Sequence, residues 1–116
     1  MAAAYQNLYL EQGTTFGASI VLDDVNGNIY DLRNTSAVSQ IRKSYYSSNA
    51  TAHFATSIDP TTGMITLSLD AQSSANIAPG RYVYDTIITI GSTINTPNTV
   101  IRVLEGIIDV SPSVTR

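Results

Sequence analysis

Cysteine is absent from all 116 residues. Disulfides, thiolate nucleophiles and Cys-ligated zinc are therefore excluded, and packing and hydrogen bonding must hold the chain. Tryptophan is absent too, and histidine occurs once, at His53. Charge is sparse, with 13% of residues Asp, Glu, Lys or Arg, against about 25% in an average soluble domain. The six basic residues are scattered, only Arg42 and Lys43 being adjacent, and the net charge is -3. A protein that tracks phosphates needs clustered cations to displace counterions, so no nucleic-acid partner is expected. No apolar run approaches the roughly 20 residues that span a bilayer. The opening "MAAAYQNLYLEQG" has neither a basic n-region nor a sustained apolar stretch, which predicts no membrane insertion and synthesis in the cytoplasm.

What fills the space left by charge is Ser, Thr, Asn, Gln and seven tyrosines. Such a surface repels neighbours weakly and costs little desolvation when another subunit covers it. Self-association or symmetric assembly follows as an expectation. The length suits one domain with one core, here residues 1–116, with 1–6 as a flexible arm and 111–116 as a C-terminal tail.

Short β-rich runs separated by turn chemistry dominate, and no long segment has helical periodicity. The expected strands are Asn7 to Leu10, Thr15 to Asp23, Ile29 to Leu32, Val38 to Ser44, Ala52 to Ser57, Met64 to Leu69, Arg81 to Ile90 and Thr99 to Val110. Phe16, Ala18, Ile20 and Leu22 share one face of the second, and Ile65, Leu67 and Leu69 one face of the sixth. Asn26-Gly27 suits a type I′ hairpin turn. Asp70 can cap one helical turn over Ala71 to Asn76, and Gly106 is the natural place for a bulge. About seven to eight strands bury these faces in two layers, an all-β antiparallel sandwich with one short helical turn.

Candidate chemistry is thin. Asp24-Val25-Asn26-Gly27-Asn28 imitates the start of a calcium loop, but its glycine is fourth and Thr35 takes the twelfth position, where that loop needs Glu. A turn explains it better. No nucleophile-elbow motif accompanies His53, no carboxylate pair is set for glycoside hydrolysis, and Gly-rich phosphate loops are missing. No catalytic residue, metal site or cofactor is expected. Tyr82 and Tyr84 alternate on one strand face and read as core with hydroxyls at the rim. Asp85 and Arg102 sit on strands expected to pair, which suggests a cross-strand ion pair. Tyr45 and Tyr46, flanked by serines, read as exposed, and with Ile94 and Pro97 at the polar tip Ser92 to Asn98 they are the candidate interface residues.

Several stretches, taken in order, resemble one known module: "GTTFGASIVLDDVNGNIYDL" at Gly13 to Leu32 with its D-x-x-G turn, "SQIRKSY" at Ser39 to Tyr45, "GRYVYD" at Gly80 to Asp85, and "RVLEGIIDVSPSVTR" at Arg102 to Arg116. They resemble the small immunoglobulin-like module of tail and baseplate proteins of tailed bacteriophages, similar to the N-terminal domain of baseplate upper proteins. The resemblance implies an immunoglobulin-like sandwich and a non-enzymatic virion structural protein. Such a protein would sit in the tail, the baseplate or a fibre attachment, with other virion structural proteins as partners. Capsid decoration, or carbohydrate binding at the host surface through Tyr45 and Tyr46, is the alternative.

Overall fold

A computed structural model describes residues 4–22, 32, 35–91 and 99–114. Eight strands and one short helix follow in the order β1 (Ala4–Tyr5), β2 (Leu8–Glu11), β3 (Phe16–Val21), β4 (Thr35–Arg42), β5 (Ala52–Asp59), β6 (Met64–Leu69), α1 (Ala71–Ala75), β7 (Gly80–Ile90) and β8 (Thr99–Ser111). The strand path runs β1-β8-β7-β4-β5-β6-β3, with β2 continuing the line of β1 along β8. Both β1 and β2 are parallel to β8, whereas every other pairing is antiparallel.

The two layers are joined by β5. Its residues Ala52 to Phe54 pair with β4, and Ala55 to Asp59 pair with β6. Where β5 leaves β4 the backbone ladder stops, and the Thr56 hydroxyl donates to the Ala37 carbonyl at 2.9 Å in its place. A side chain thus replaces a ladder bond at the point where a strand changes sheet, which keeps a half-buried carbonyl satisfied. The larger sheet contains β1/β2, β8, β7, β4 and the start of β5; the smaller contains the rest of β5, β6 and β3.

Alternation explains which face each strand buries. On β7, Tyr82, Tyr84, Thr86 and Ile88 are buried and their neighbours are not. On β6, Ile65, Leu67 and Leu69 do the same from the other layer, and these join Leu8, Leu10, Ile41, Ile108 and Val110 in one core. Phe54 links the layers: its ring lies 5.6 Å from Phe16 and meets Tyr84 edge-on at 6.3 Å, an arrangement aromatic quadrupoles favour. Two buried hydroxyls on paired strands satisfy each other, Thr86 donating to Ser39 at 3.1 Å and Ser39 to the Asp85 carbonyl at 2.8 Å. The connection into β7 is fixed at both ends. Asp70 caps α1 by accepting from the Ser73 amide at 2.7 Å. That bond, followed by one from the Ser73 side chain, holds the Asp70 carboxyl below its ordinary range. Ser74 is fully buried and donates to the Thr14 carbonyl at 2.7 Å, tying α1 to the segment between β2 and β3. Tyr82 then donates to the Ala78 carbonyl, four residues upstream, at 2.6 Å. A tyrosine near the start of this strand, bonded back to the backbone just before it, is the tyrosine corner of immunoglobulin-like sandwiches. Together with the strand order and the parallel first strand, it makes the fold immunoglobulin-like.

Three expectations are corrected. The register shift in β8 lies not at Gly106 but opposite Thr86/Ile87, where Val103 is the extra residue between Arg102 and Leu104. The bulge turns both Val103 and Leu104 into the core, which strict alternation forbids. Gly106 serves a different need: a Cβ there would collide with the Gln6 carbonyl. The segment expected as a flexible arm is docked from Ala4 onward, with β1 on β8, the Gln6 amide donating to Glu105 at 2.9 Å, and the Tyr84 hydroxyl donating to the Gln6 carbonyl at 2.6 Å. Finally, β8 runs one residue further than expected, through Ser111, before Pro112 ends it. The Asn26-Gly27 turn, the strand over Ile29 to Leu32 apart from buried Leu32, and the tip with Ile94 and Pro97 lie outside the described residues.

Two outcomes follow from this closure. Gly106→Ala is expected to lose about 1–3 kcal/mol of stability, the range for overpacking a filled site, and to open the Gln6–Asn7 junction to limited proteolysis; urea unfolding equal to the parent contradicts the close approach. Burial, and secondarily the neighbouring Tyr5, push the Tyr84 phenol from its ordinary 10.0 up to about 12. The folded state therefore holds this proton more tightly than the unfolded chain. Its contribution is complete below pH 10 and is lost as pH rises toward 12. Tyr84→Phe is expected to lower stability at neutral pH by about 0.5–1.5 kcal/mol and to flatten the alkaline fall, as read by unfolding at stepped pH.

Candidate functional site

The outward face of the larger sheet gathers every described arginine. Register places His53, Gln40, Asp85, Glu105 and Tyr5 in one row across five strands. Next to it on one side runs Arg42, Val83 and Ile107, and on the other Val38, Ile87 and Arg102. Half-buried Val83, Ile87 and Ile107 thus sit beside Arg42, Asp85 and Arg102, while Val38 is exposed. Between β4, β7 and β8 the rows leave an open groove lined by Gln40, Arg42, Tyr45, Asp85, Ile87 and Arg102.

Each arginine here has a local acceptor. Arg102 reaches Asp85 at 3.4 Å through Nε and Glu105 at 3.3 Å through Nη1, so the expected cross-strand pair is present and extended to a trio. Arg81 meets Asp109 at 3.1 Å. Arg42 donates to the Ser47 carbonyl and to Gln40 Oε1, both at 2.9 Å. Exposed pairs of this kind add about 0–1 kcal/mol at most to stability. Their larger effect is on docking, since a charge already paired on its own surface is not stranded when a partner expels water.

His53 is bonded to Gln40 across the β4–β5 pair. With Gln40 Oε1 accepting from Arg42, the Gln40 amide nitrogen faces His53 Nε2 at 3.2 Å and donates to it, an orientation set by the hydrogen-bond network. The ring nitrogen lone pair is taken by a neutral amide, and among the described residues no carboxylate is bonded to the ring as an orienter. Among the described residues no group of three or more His, Cys, Asp or Glu is placed to hold a metal ion, and no helix is long and apolar enough to cross a membrane. The Asp24–Asn28 stretch lies outside the described residues.

Tyr45 and Tyr46 are both exposed, at 66% and 96%, on the turn after β4. That turn is fixed by the Arg42 bond to the Ser47 carbonyl and by Ser47 Oγ accepting from the Ser44 amide at 3.1 Å. Only Tyr45 reaches the groove. Two further tyrosines were not singled out from the sequence: Tyr5 and Tyr9, 60% and 72% exposed, stand at the β8 side of the same face. Tyr9 was legible, since Leu8 and Leu10 flank it and both are buried. Tyr5 was not, because β1 has only two residues and no alternation to read.

No family model matches the chain, and no curated protein matches it. Among solved structures, the Lin-41 filamin domain is similar over 89% of this chain and 82% of its own, at 15% identity and a TM-score of 0.42. AggA, the major subunit of aggregative adherence fimbriae type I from Escherichia coli, is similar over 90% of this chain and 89% of its own, at 10% identity and a TM-score of 0.39.

Proposed function

We propose that this chain is a non-enzymatic structural module of a tailed-bacteriophage virion, seated in the tail, the baseplate or a fibre attachment. It binds other virion proteins through the outward face of the larger sheet. The observation that carries the docking role is that face itself: tyrosines at both margins, half-buried aliphatic residues between, and arginines paired with local acceptors. Aromatic residues and arginine are enriched where proteins meet, and prepaired charges lower the cost of drying such a surface. The virion placement rests on the order of the motifs given above. "GRYVYD" opens β7 and holds the tyrosine corner, "RVLEGIIDV" forms most of β8, and "SQIR" ends β4.

A rigid sandwich acts here by geometry. Repetition of one weak contact under particle symmetry raises overall affinity through effective concentration, without any single strong bond. The sparse charge of the chain favours packing among close neighbours for the same reason.

Antibody raised to the chain is expected to label the tail tip of purified virus particles in electron micrographs. Label over the head moves the same module to capsid decoration, and particles that never contain the chain overturn the virion reading.

A further inference from the structure

The two outer strands of the structure are built differently. On the β8 side, the line of β1 and β2 is interrupted at Gln6 and Asn7 and ends in Glu11, and interruptions and charges of this kind keep a sheet edge from pairing with another chain. On the other side stands β3, "FGASIV", with no charge, no proline and an unbroken register against β6. Among the described residues nothing pairs with its far side.

The direction of its backbone groups follows from one bond. Leu22 donates to the Gly63 carbonyl at 2.9 Å, which makes Leu22 and Gly63 a hydrogen-bonded pair of the β3–β6 ladder. Antiparallel pairs alternate, so Phe16, Ala18 and Ile20 also spend their amides and carbonyls on β6. Gly17, Ser19 and Val21 point theirs away from the sheet. On the outward face, Gly17, Ser68 and Ala55 form one row and Ser19, Thr66 and Ser57 the next. Both rows consist of small, uncharged residues.

From this we infer that β3 pairs antiparallel with β3 of a second copy of the chain about a two-fold axis through Ser19. The two smaller sheets then form one continuous sheet. In that register Gly17 stands opposite Val21, Ser19 opposite itself and Val21 opposite Gly17, and each of these pairs exchanges two backbone bonds. The side chains fit as small against large. Nothing lies within 4 Å of where a Gly17 Cβ would be, so the position accepts the 57% exposed Val21 of the other copy. On the inner side, Ala18 meets Ile20 and Phe16 meets Leu22, covering the open flanks of residues that already pack against the core. Self-complementarity selects a copy of the chain as occupant: one uncharged strand supplies both the open position at Gly17 and the exposed Val21 that fills it, so the two-fold axis makes the same match twice. An isologous contact closes at two copies and leaves the face of the larger sheet free. The pairing stands with or without the virion reading.

Because the chain has no cysteine, single introduced thiols report the geometry without interference. Ser19→Cys places two thiols opposite each other across a pair with Cα atoms about 5.5 Å apart. Ser57→Cys, also exposed and in the same row, puts them about 24 Å apart at five strand spacings. A short bis-maleimide is expected to link Ser19→Cys into a dimer and leave Ser57→Cys monomeric, and sedimentation equilibrium is expected to show the parent as a dimer that Ser19→Lys weakens several-fold through like charges on the axis. Equal linking of the two cysteine variants, or a parent that remains monomeric up to its solubility limit, overturns the pairing.

Discussion

The carbonyl of Gln6 lies over Gly106, where no other residue leaves room, and receives the hydroxyl of Tyr84. That contact commits the N-terminal segment to β8. Leu8 and Leu10 then enter the core from β2, each burial contributing about 1.5–3 kcal/mol, and the parallel ladder uses the free side of β8. With the N-terminal segment placed along the larger sheet, nothing among the described residues pairs with the far side of β3.

Thr56 completes the ladder where β5 changes sheet, Ser74 ties the helical turn to the Thr14 carbonyl, and Gln12 donates to the Ile77 carbonyl at 3.1 Å. Each satisfies a carbonyl that regular strand pairing leaves over. The described residues hold no buried side-chain polar atom without a partner.

Much of this was legible in the sequence, for reasons that are local. The strand Met64–Leu69, the Asp70 cap and the inward Tyr82 and Tyr84 follow from period-two alternation and capping chemistry, which act over a few residues. Tyr45 and Tyr46 were legible as exposed from their serine neighbours. What was not legible depends on pairs distant in the chain. The extra residue at Val103 matters only against β7, and Gly106 resembled a bulge until Gln6, 100 positions earlier, was set beside it. The division of β5 between two partners leaves no trace in its own alternation, and the paired arginines of the outward face became a group only once register brought β4, β7 and β8 together.

Residue-resolved hydrogen exchange on dilute protein tests this division of the edges most directly. Slow exchange is predicted at the Gln6 amide, bonded to Glu105, and an alternating pattern along β3, with Ala18 and Ile20 protected and Gly17, Ser19 and Val21 exchanging freely. A freely exchanging Gln6 together with protected Gly17, Ser19 and Val21 would place the N-terminal segment on β3 instead, and would contradict both the closure at Gly106 and the open edge of β3.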